Sequence, residues 1–217
     1  MRIIITGSSG MVGEGVMLVC LSHPKVSKVL IINRKPSGFT HPKLTELIVQ
    51  DFSKIAQFAS SLQEYDACFF CAGVSSVGMT EDTFTKATYD FVVPFAKFLS
   101  EINPNMVFNY VSGTGTDSTE QGKVMWARVK GKTENALQKL PFKGQYNFRP
   151  GFMKPVKGQQ NLKGIYRVIS PLYPIFATLT PNFTSTLEDL GLAMIDSVEL
   201  GYKQPNIEVR DIKKMAK

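Results

Sequence analysis

A chain of 217 residues, 43% of them hydrophobic, is long enough for one sizeable core and short for two domains. Its 25 Lys and Arg exceed 18 Asp and Glu, for a formal net charge of +7, but no dense basic run accompanies the excess. That sets nucleic acid aside as a partner and favours a basic lining for an anionic small molecule.

The first strand is expected over residues 2–5, a β-branched apolar run. Thr6-Gly7-Ser8-Ser9-Gly10-Met11-Val12-Gly13 follows, and a helix is expected over 12–21. Strand, glycine turn and helix in that order make the glycines informative. Gly7 permits a tight turn, Gly10 lets backbone N–H groups approach a pyrophosphate, and Gly13 lets helix and strand pack closely. The helix N-terminus offers the phosphates free N–H donors and partial positive charge.

Residues 28–33 read as the second strand, closed by Arg34-Lys35-Pro36-Ser37-Gly38. An NAD site places an acid here to bind the ribose 2′-hydroxyl. No acidic residue lies between Glu14 and Glu46, and Arg34 with Lys35 occupies the position instead. The expected cofactor is therefore NADP(H) in preference to NAD(H).

A third strand is expected over 44–50, ending at Asp51-Phe52, with Ser53 capping a short helix. A fourth over 66–70 ends in Cys71-Ala72-Gly73, placed by its strand end at a ligand crevice. Cys68 and Cys71 have C-x-x-C spacing, but strand alternation points the two thiols apart, and no metal site is expected. With Cys20 the cysteines number three, which argues for a reducing cytoplasm. Met1-Arg2 runs directly into the first strand, so no targeting segment is expected.

Thr80-Glu81-Asp82 starts a long helix with an apolar face, in which Pro94 is expected to make a kink or interruption. A fifth strand over 106–111 ends in Ser112-Gly113-Thr114-Gly115-Thr116, a helix covers 123–140, and a sixth strand over 146–148 closes at Arg149-Pro150-Gly151. The alternation predicts an α/β Rossmann-type fold, a doubly wound parallel sheet. Residues 152–185 break the alternation with Pro, Gly and aromatics, and are expected to form an irregular substrate-side cap within a single domain of residues 1–217. The apolar part, 165–179, is shorter than the ~20 residues of a spanning helix. Contact with a membrane surface stays open for it as the lesser alternative. A last helix over 186–200 stops at Gly201, and 207–209 adds an edge strand.

Thr6-Gly-x-x-Gly-x-x-Gly13, Asp51 after the third strand, Ser112, Lys130 and Arg149-Pro150-Gly151 resemble the short-chain dehydrogenases/reductases. The match is closest to the extended and atypical, NAD-dependent epimerase/dehydratase-like members. Residues 111–134 are similar to the Tat-interacting-protein oxidoreductase group. The resemblance covers about residues 1–155 well and 186–195 weakly. It implies that Gly7 to Gly13, Arg34, Lys35, Asp51, Phe52, Cys71, Ala72, Gly73, Lys130 and Pro150 hold the cofactor. It also implies that Ser112, with Thr114 as a substitute, holds a substrate oxygen.

In the family a tyrosine transfers the proton and a lysine four residues later lowers its pKa. Here Lys130 is that lysine, and Trp126 stands in the tyrosine's place. An indole N–H donates a hydrogen bond but has no accessible titration. Trp126 is therefore expected to wall the nicotinamide-side pocket, at a typical cost of about 10²–10⁴-fold in rate. Two functions follow: NADPH-dependent reduction of a small carbonyl compound, and a catalytically weak or inactive NADP(H)-binding sensor or scaffold. Epimerase or dehydratase chemistry needs the same missing proton donor. The substrate and the oligomeric state are not legible in the sequence.

Overall fold

The computed structural model describes residues 1–162 and 172–217. Seven parallel strands form one sheet: β1 (Arg2–Thr6), β2 (Lys28–Asn33), β3 (Leu44–Ile48), β4 (Ala67–Phe70), β5 (Val107–Val111), β6 (Gly144–Arg149) and, after two strands outside it, β9 (Asn206–Glu208). Their order is β3-β2-β1-β4-β5-β6-β9. The chain steps outward from β1 to β3, then crosses back to β4 and steps outward the other way. The order thus reverses between β1 and β4, and the crevice beyond their carboxyl ends is where such sheets bind ligands. The expected edge strand is present, pairing Phe148 with Ile207.

The central strands are buried on both faces, as parallel sheets require, while the edge strand β3 buries none of its residues. Ile3, Ile5, Val29, Ile31, Phe69 and Phe148 pack on one side with α1 (Met11–Ser22). Ile4, Leu30, Ile32, Phe70, Phe108 and Tyr110 pack on the other with α3 (Glu81–Ile102). Between β3 and β4 lie a 3₁₀ turn, Phe52–Phe58, and the short α2, Ala59–Leu62. Each fully buried large aliphatic or aromatic side chain contributes roughly 1.5–3 kcal/mol. The same alternation sends Cys68 to the second layer and Cys71 to the first, so the C-x-x-C thiols diverge. Burial raises the pKa of both.

Thr80 caps α3 through a reciprocal pair with Thr83. Of the kink or interruption expected at Pro94, the interruption does not occur: the helix runs unbroken through it. The buried contacts of Val92, Phe95 and Ala96 hold it together on either side of the missing N–H. Helix α4 (Met125–Leu137) is shorter at both ends than expected.

After β6 the chain is more regular than a cap of loops. β7 (Phe152–Lys154) pairs in parallel with β8 (Thr184–Thr186). Gly151 permits this approach, since a Cβ there would lie 2.1 Å from the Phe183 carbonyl oxygen. The short α5 (Tyr173–Leu179) buries none of its residues and leaves Ile175 and Leu179 exposed. Part of the apolar stretch expected over 165–179, residues 165–171, lies outside the described residues. Helix α6 (Leu187–Glu199) starts on a capping box between Thr186 and Asp189, and α7 (Val209–Met215) follows β9. No helix among the described residues is long and apolar enough to cross a membrane.

Candidate functional site

The glycine turn joins β1 to α1. Gly7 has φ +74°, and a Cβ there would sit 2.6 Å from the Cα of Ala72 at the end of β4. A Cβ on Gly13 would lie 2.2 Å from the Gly7 carbonyl oxygen. Both positions exclude any side chain. Gly10 differs: its nearest neighbour would be Gly7 O at 3.4 Å, so its open side faces solvent. Gly10 is the N-cap of α1 and has no capping side chain, which leaves first-turn N–H groups available to an anion.

A cleft of about 380 Å³ opens over this turn. Gly7, Ser9 and Gly10 form its floor, and Cys71, Ala72 and Gly73 one wall. Ile32, Asn33 and Arg34 form the β2 side, and Phe52 and Phe91 add aromatic surface. Lys86 of α3 reaches in as a second cation, paired with Asp82 at 2.8 Å.

The sequence-predicted residues divide around this cleft. Gly7, Ser9, Gly10, Arg34, Phe52, Cys71, Ala72 and Gly73 line it. Ser8 turns inward, its hydroxyl donating to Asn33 Oδ1 at 2.9 Å. Met11 is buried in the core and Val12 packs against it. Lys35 is exposed and outside the lining. Asp51 caps the following turn, accepting from Ser53 N at 3.0 Å and Ser53 Oγ at 2.7 Å, which holds its carboxyl below its ordinary pKa.

The reading of a β2 end free of acids needs correction. Glu46 of β3 accepts from Asn33 Nδ2 at 2.8 Å and from Ser37 N at 2.9 Å. Parallel pairing of β2 with β3 brings a carboxylate thirteen residues away onto the turn that carries Arg34.

A second cluster stands at the carboxyl end of β5. Ser112 N donates to Phe148 O at 2.7 Å, which aligns this loop beside β6. Ser112 Oγ lies 3.0 Å from Thr116 Oγ1, and Thr116 donates to the Gly113 carbonyl at 2.8 Å. Thr116 has one proton; when Gly113 receives it, Ser112 supplies the proton between the two hydroxyls. Thr114 donates to the Arg149 carbonyl at 2.9 Å, so its hydroxyl is engaged rather than spare. Buried Pro150 accepts from Thr114 N at 3.2 Å and serves the loop.

Lys130 Nζ donates to the Ser112 carbonyl at 2.9 Å. Burial pushes its pKa down to about 8, partly opposed by the negative charge of Glu134. One turn earlier, Trp126 lays the edge of its six-membered ring over Gly115, about 3.5 Å from where a Cβ would stand. The indole thus walls the Ser112–Thr116 loop. Tyr110, the nearest phenol on this strand, is 2% exposed, and burial raises its pKa. Tyr89 packs beneath Lys132, whose Nζ is 4.7 Å from its ring, and so faces α4.

Glu134 was not identified from the sequence. It is fully buried, and both its oxygens accept from Arg149, one of them from Nε at 3.0 Å. Arg149 also pairs with Glu208 at 3.0 Å and donates to Ser118 Oγ at 2.6 Å. Burial works to lower the Arg149 pKa, but bonding and charge from Glu134 and Glu208 raise it. The arginine of Arg149-Pro150-Gly151 is therefore a structural tie between β6, α4 and β9. Asn33, Lys86 and Thr116 were missed as well. Asn33 closes the predicted second strand and could have been nominated by position, whereas the Asp82–Lys86 spacing reads as a solvated helix pair.

Residues 3–93 match the sequence model of the NAD dependent epimerase/dehydratase family. Protein HTATIP2 of Rattus norvegicus is 28% identical over 153 residues, covering 70% of this chain and 62% of that protein. Protein fmp52, mitochondrial, of Emericella nidulans is 27% identical over 217 residues, covering 96% of this chain and 90% of its own length. Among solved structures, Helicobacter pylori ADP-L-glycero-D-manno-heptose-6-epimerase superposes with a TM-score of 0.69 at 14% identity, covering 99% of this chain and 81% of that one. The Bordetella bronchiseptica enzyme WbmH in complex with NAD+ gives 0.63 at 19%, covering 98% and 79%. The fold is the Rossmann-type fold of these enzymes.

Proposed function

We propose that the chain binds NADP(H) across the glycine turn and reduces a small carbonyl compound at the end of β5. The observation that carries this reading is the open cleft over Gly10, with Arg34 on its β2 side and the Ser112–Lys130 pair one strand beyond Ala72–Gly73. The residues fit a dinucleotide. The α1 N-terminus suits the pyrophosphate, and Arg34, in no ion pair among the described residues, suits a 2′-phosphate. When bound, a dihydronicotinamide supplies hydride to a carbonyl carbon. Lys130 holds the ribose and puts positive charge beside the substrate oxygen, the Ser112 hydroxyl orients that oxygen by turning to it from Thr116, and Trp126 walls the pocket. The family of the matching model and the NAD-bound neighbours support an oxidoreductase-like enzyme.

Calorimetry with NADPH and NADH tests the cofactor. NADPH is expected to bind more tightly, and Arg34→Asp to weaken it by about tenfold or more, a change of roughly 1.4 kcal/mol. A wild-type preference for NADH would refute the assignment and make the Glu46–Asn33 pair the determinant.

Trp126 favours a second reading, an NADP(H)-loaded sensor or scaffold with little turnover. Restoring the phenol decides between them: Trp126→Tyr is expected to raise NADPH-dependent aldehyde reduction by ~10-fold or more. Tight nucleotide binding with no turnover in either protein would favour the sensor. A cytoplasmic location and the lack of nucleic-acid partners belong to the same proposal, tested by fractionation and by a salt-dependent DNA shift assay.

A further inference from the structure

We infer that Lys130 itself gives the proton to the substrate oxygen in this chain, in place of the tyrosine that Trp126 displaces. The inference rests on the oxidoreductase reading above and names its missing acid.

Geometry leaves few other donors. Trp126, one turn earlier on α4, has no titrating proton. The hydroxyls of Ser112 and Thr116 are bonded to each other, and that of Thr114 to Arg149. Tyr110 is buried in the core, its ring 5.8 Å from Nζ, and burial raises its pKa. Lys130 carries three N–H donors, and the Ser112 carbonyl takes one of them.

Burial loosens the proton of the lysine, and the one negative charge that acts on it, Glu134, offsets this only in part. From its own helix it faces Glu134, but Arg149 of β6 takes both oxygens of that carboxylate. Arg149 is in turn shared with Glu208 of β9. From β5 it faces the neutral ring of Tyr110. Tyr89 of α3 is turned toward Lys132 instead. Among the described residues Lys130 has no carboxylate within ion-pair distance. A half-buried ammonium without a counter-ion gives up its proton more readily than a solvated one, in line with its pKa near 8. An acid poised there suits proton transfer near neutral pH.

The step balances. As the carbonyl carbon accepts hydride from the dihydronicotinamide, the C=O π pair moves to oxygen. An N–H bond of the Lys130 ammonium breaks, an O–H bond forms, and the electron pair stays on Nζ. Water then returns a proton to the neutral amine.

The test uses the full chain. Side-chain ¹⁵N resonances of the lysines are titrated without cofactor, Lys130 being assigned by its loss in Lys130→Arg. Its signal is expected to titrate near pH 8. NADPH binding and reduction of 4-nitrobenzaldehyde are then measured across pH. Wild-type reduction is expected to fall above about pH 8 as the ammonium is lost. Lys130→Arg keeps the charge that holds the ribose but gives up no proton, so NADPH should still bind while reduction drops about 10²-fold or more. In Trp126→Tyr the falling limb should move, because a phenol takes over donation.

Titration of Lys130 at its ordinary value overturns the inference. So does Lys130→Arg turning over at the wild-type rate, or a wild type that binds NADPH without reducing any aldehyde. A wild type that binds neither NADPH nor NADH overturns the oxidoreductase reading itself, and the inference falls with it.

Discussion

At the scale of single residues, the three glycines of the turn do different work. Gly13 is fixed by contact, and Gly7 by both its left-handed backbone and its contact with Ala72. Gly10 is fixed by neither and matters to whatever lies above it. Gly13→Ala forces a Cβ into backbone and is expected to lower stability by about 1–3 kcal/mol, read as a fall in the denaturation midpoint. Gly10→Val should keep most of the stability and lose NADPH binding in calorimetry. If Gly10→Val binds as tightly as wild type, the pyrophosphate does not sit here.

Lys130 gives a second prediction at this scale. Its folded-state pKa is lowered from 10.5 to about 8. Between those values the unfolded chain holds more protons, so this group makes stability rise with pH over that window. Below pH 8 the lysine is charged in both states and the burial penalty is fully present. Lys130→Met should therefore stabilise the cofactor-free protein at pH 7 by on the order of 1–3 kcal/mol and flatten the rise above pH 8. Urea denaturation at pH 7 and pH 9.5 measures both effects.

At the scale of elements, the segment after β7 is strapped to α1. Glu14, fully buried in the first turn, accepts from Gln160 N at 2.6 Å and Asn161 N at 2.7 Å. Gln159 adds a bond to Met11 O at 2.7 Å. The carboxylate also sits favourably near the positive end of the helix. Glu14→Ala hands two backbone donors of exposed residues to water, at less than the roughly 1–3 kcal/mol of a buried unpaired donor, and should release the strap. Trypsin cleavage after exposed Lys157 is then expected to accelerate, with Glu14→Gln intermediate; an unchanged rate would mean that the apolar contacts hold the strap alone. The Arg149–Glu134 tie is a similar device on the other side of the sheet. Removing one partner of such a buried pair typically costs about 3–5 kcal/mol.

At the scale of the whole molecule, the candidate site belongs to no single element. The cleft is shared by β1, β2, β4 and α3, and the Ser112–Lys130 pair by β5 and α4. A ligand spanning both binds the folded chain alone and should stabilise it. At 100 times its Kd, NADPH is expected to add about 2.7 kcal/mol, visible as a higher melting temperature. NADH at the same concentration should add less, and Arg34→Asp should erase the difference. Equal shifts from both nucleotides would show that the 2′-phosphate is not read.

The order of strands and helices and the glycine turn were legible because both are local. A β-branched run followed by Gly-x-x-Gly-x-x-Gly constrains backbone and packing within a dozen residues, and alternation of the strands with helical spacing assigns the two layers. The spacing of Trp126 and Lys130 was equally plain, since the two lie four residues apart. Position along the chain gave no hint that Glu46 lies beside Asn33, that Glu134 binds Arg149, or that Glu14 takes two N–H groups from residues 160 and 161. Those pairs are separated by 13 to 147 residues, and sheet register and helix docking bring them together. Charge at the site was likewise decided by tertiary structure: burial depresses the lysine, and Glu134, held by an arginine of β6, offsets only part of that effect. A side chain's pKa depends on what surrounds it in space, and only the folded chain fixes that.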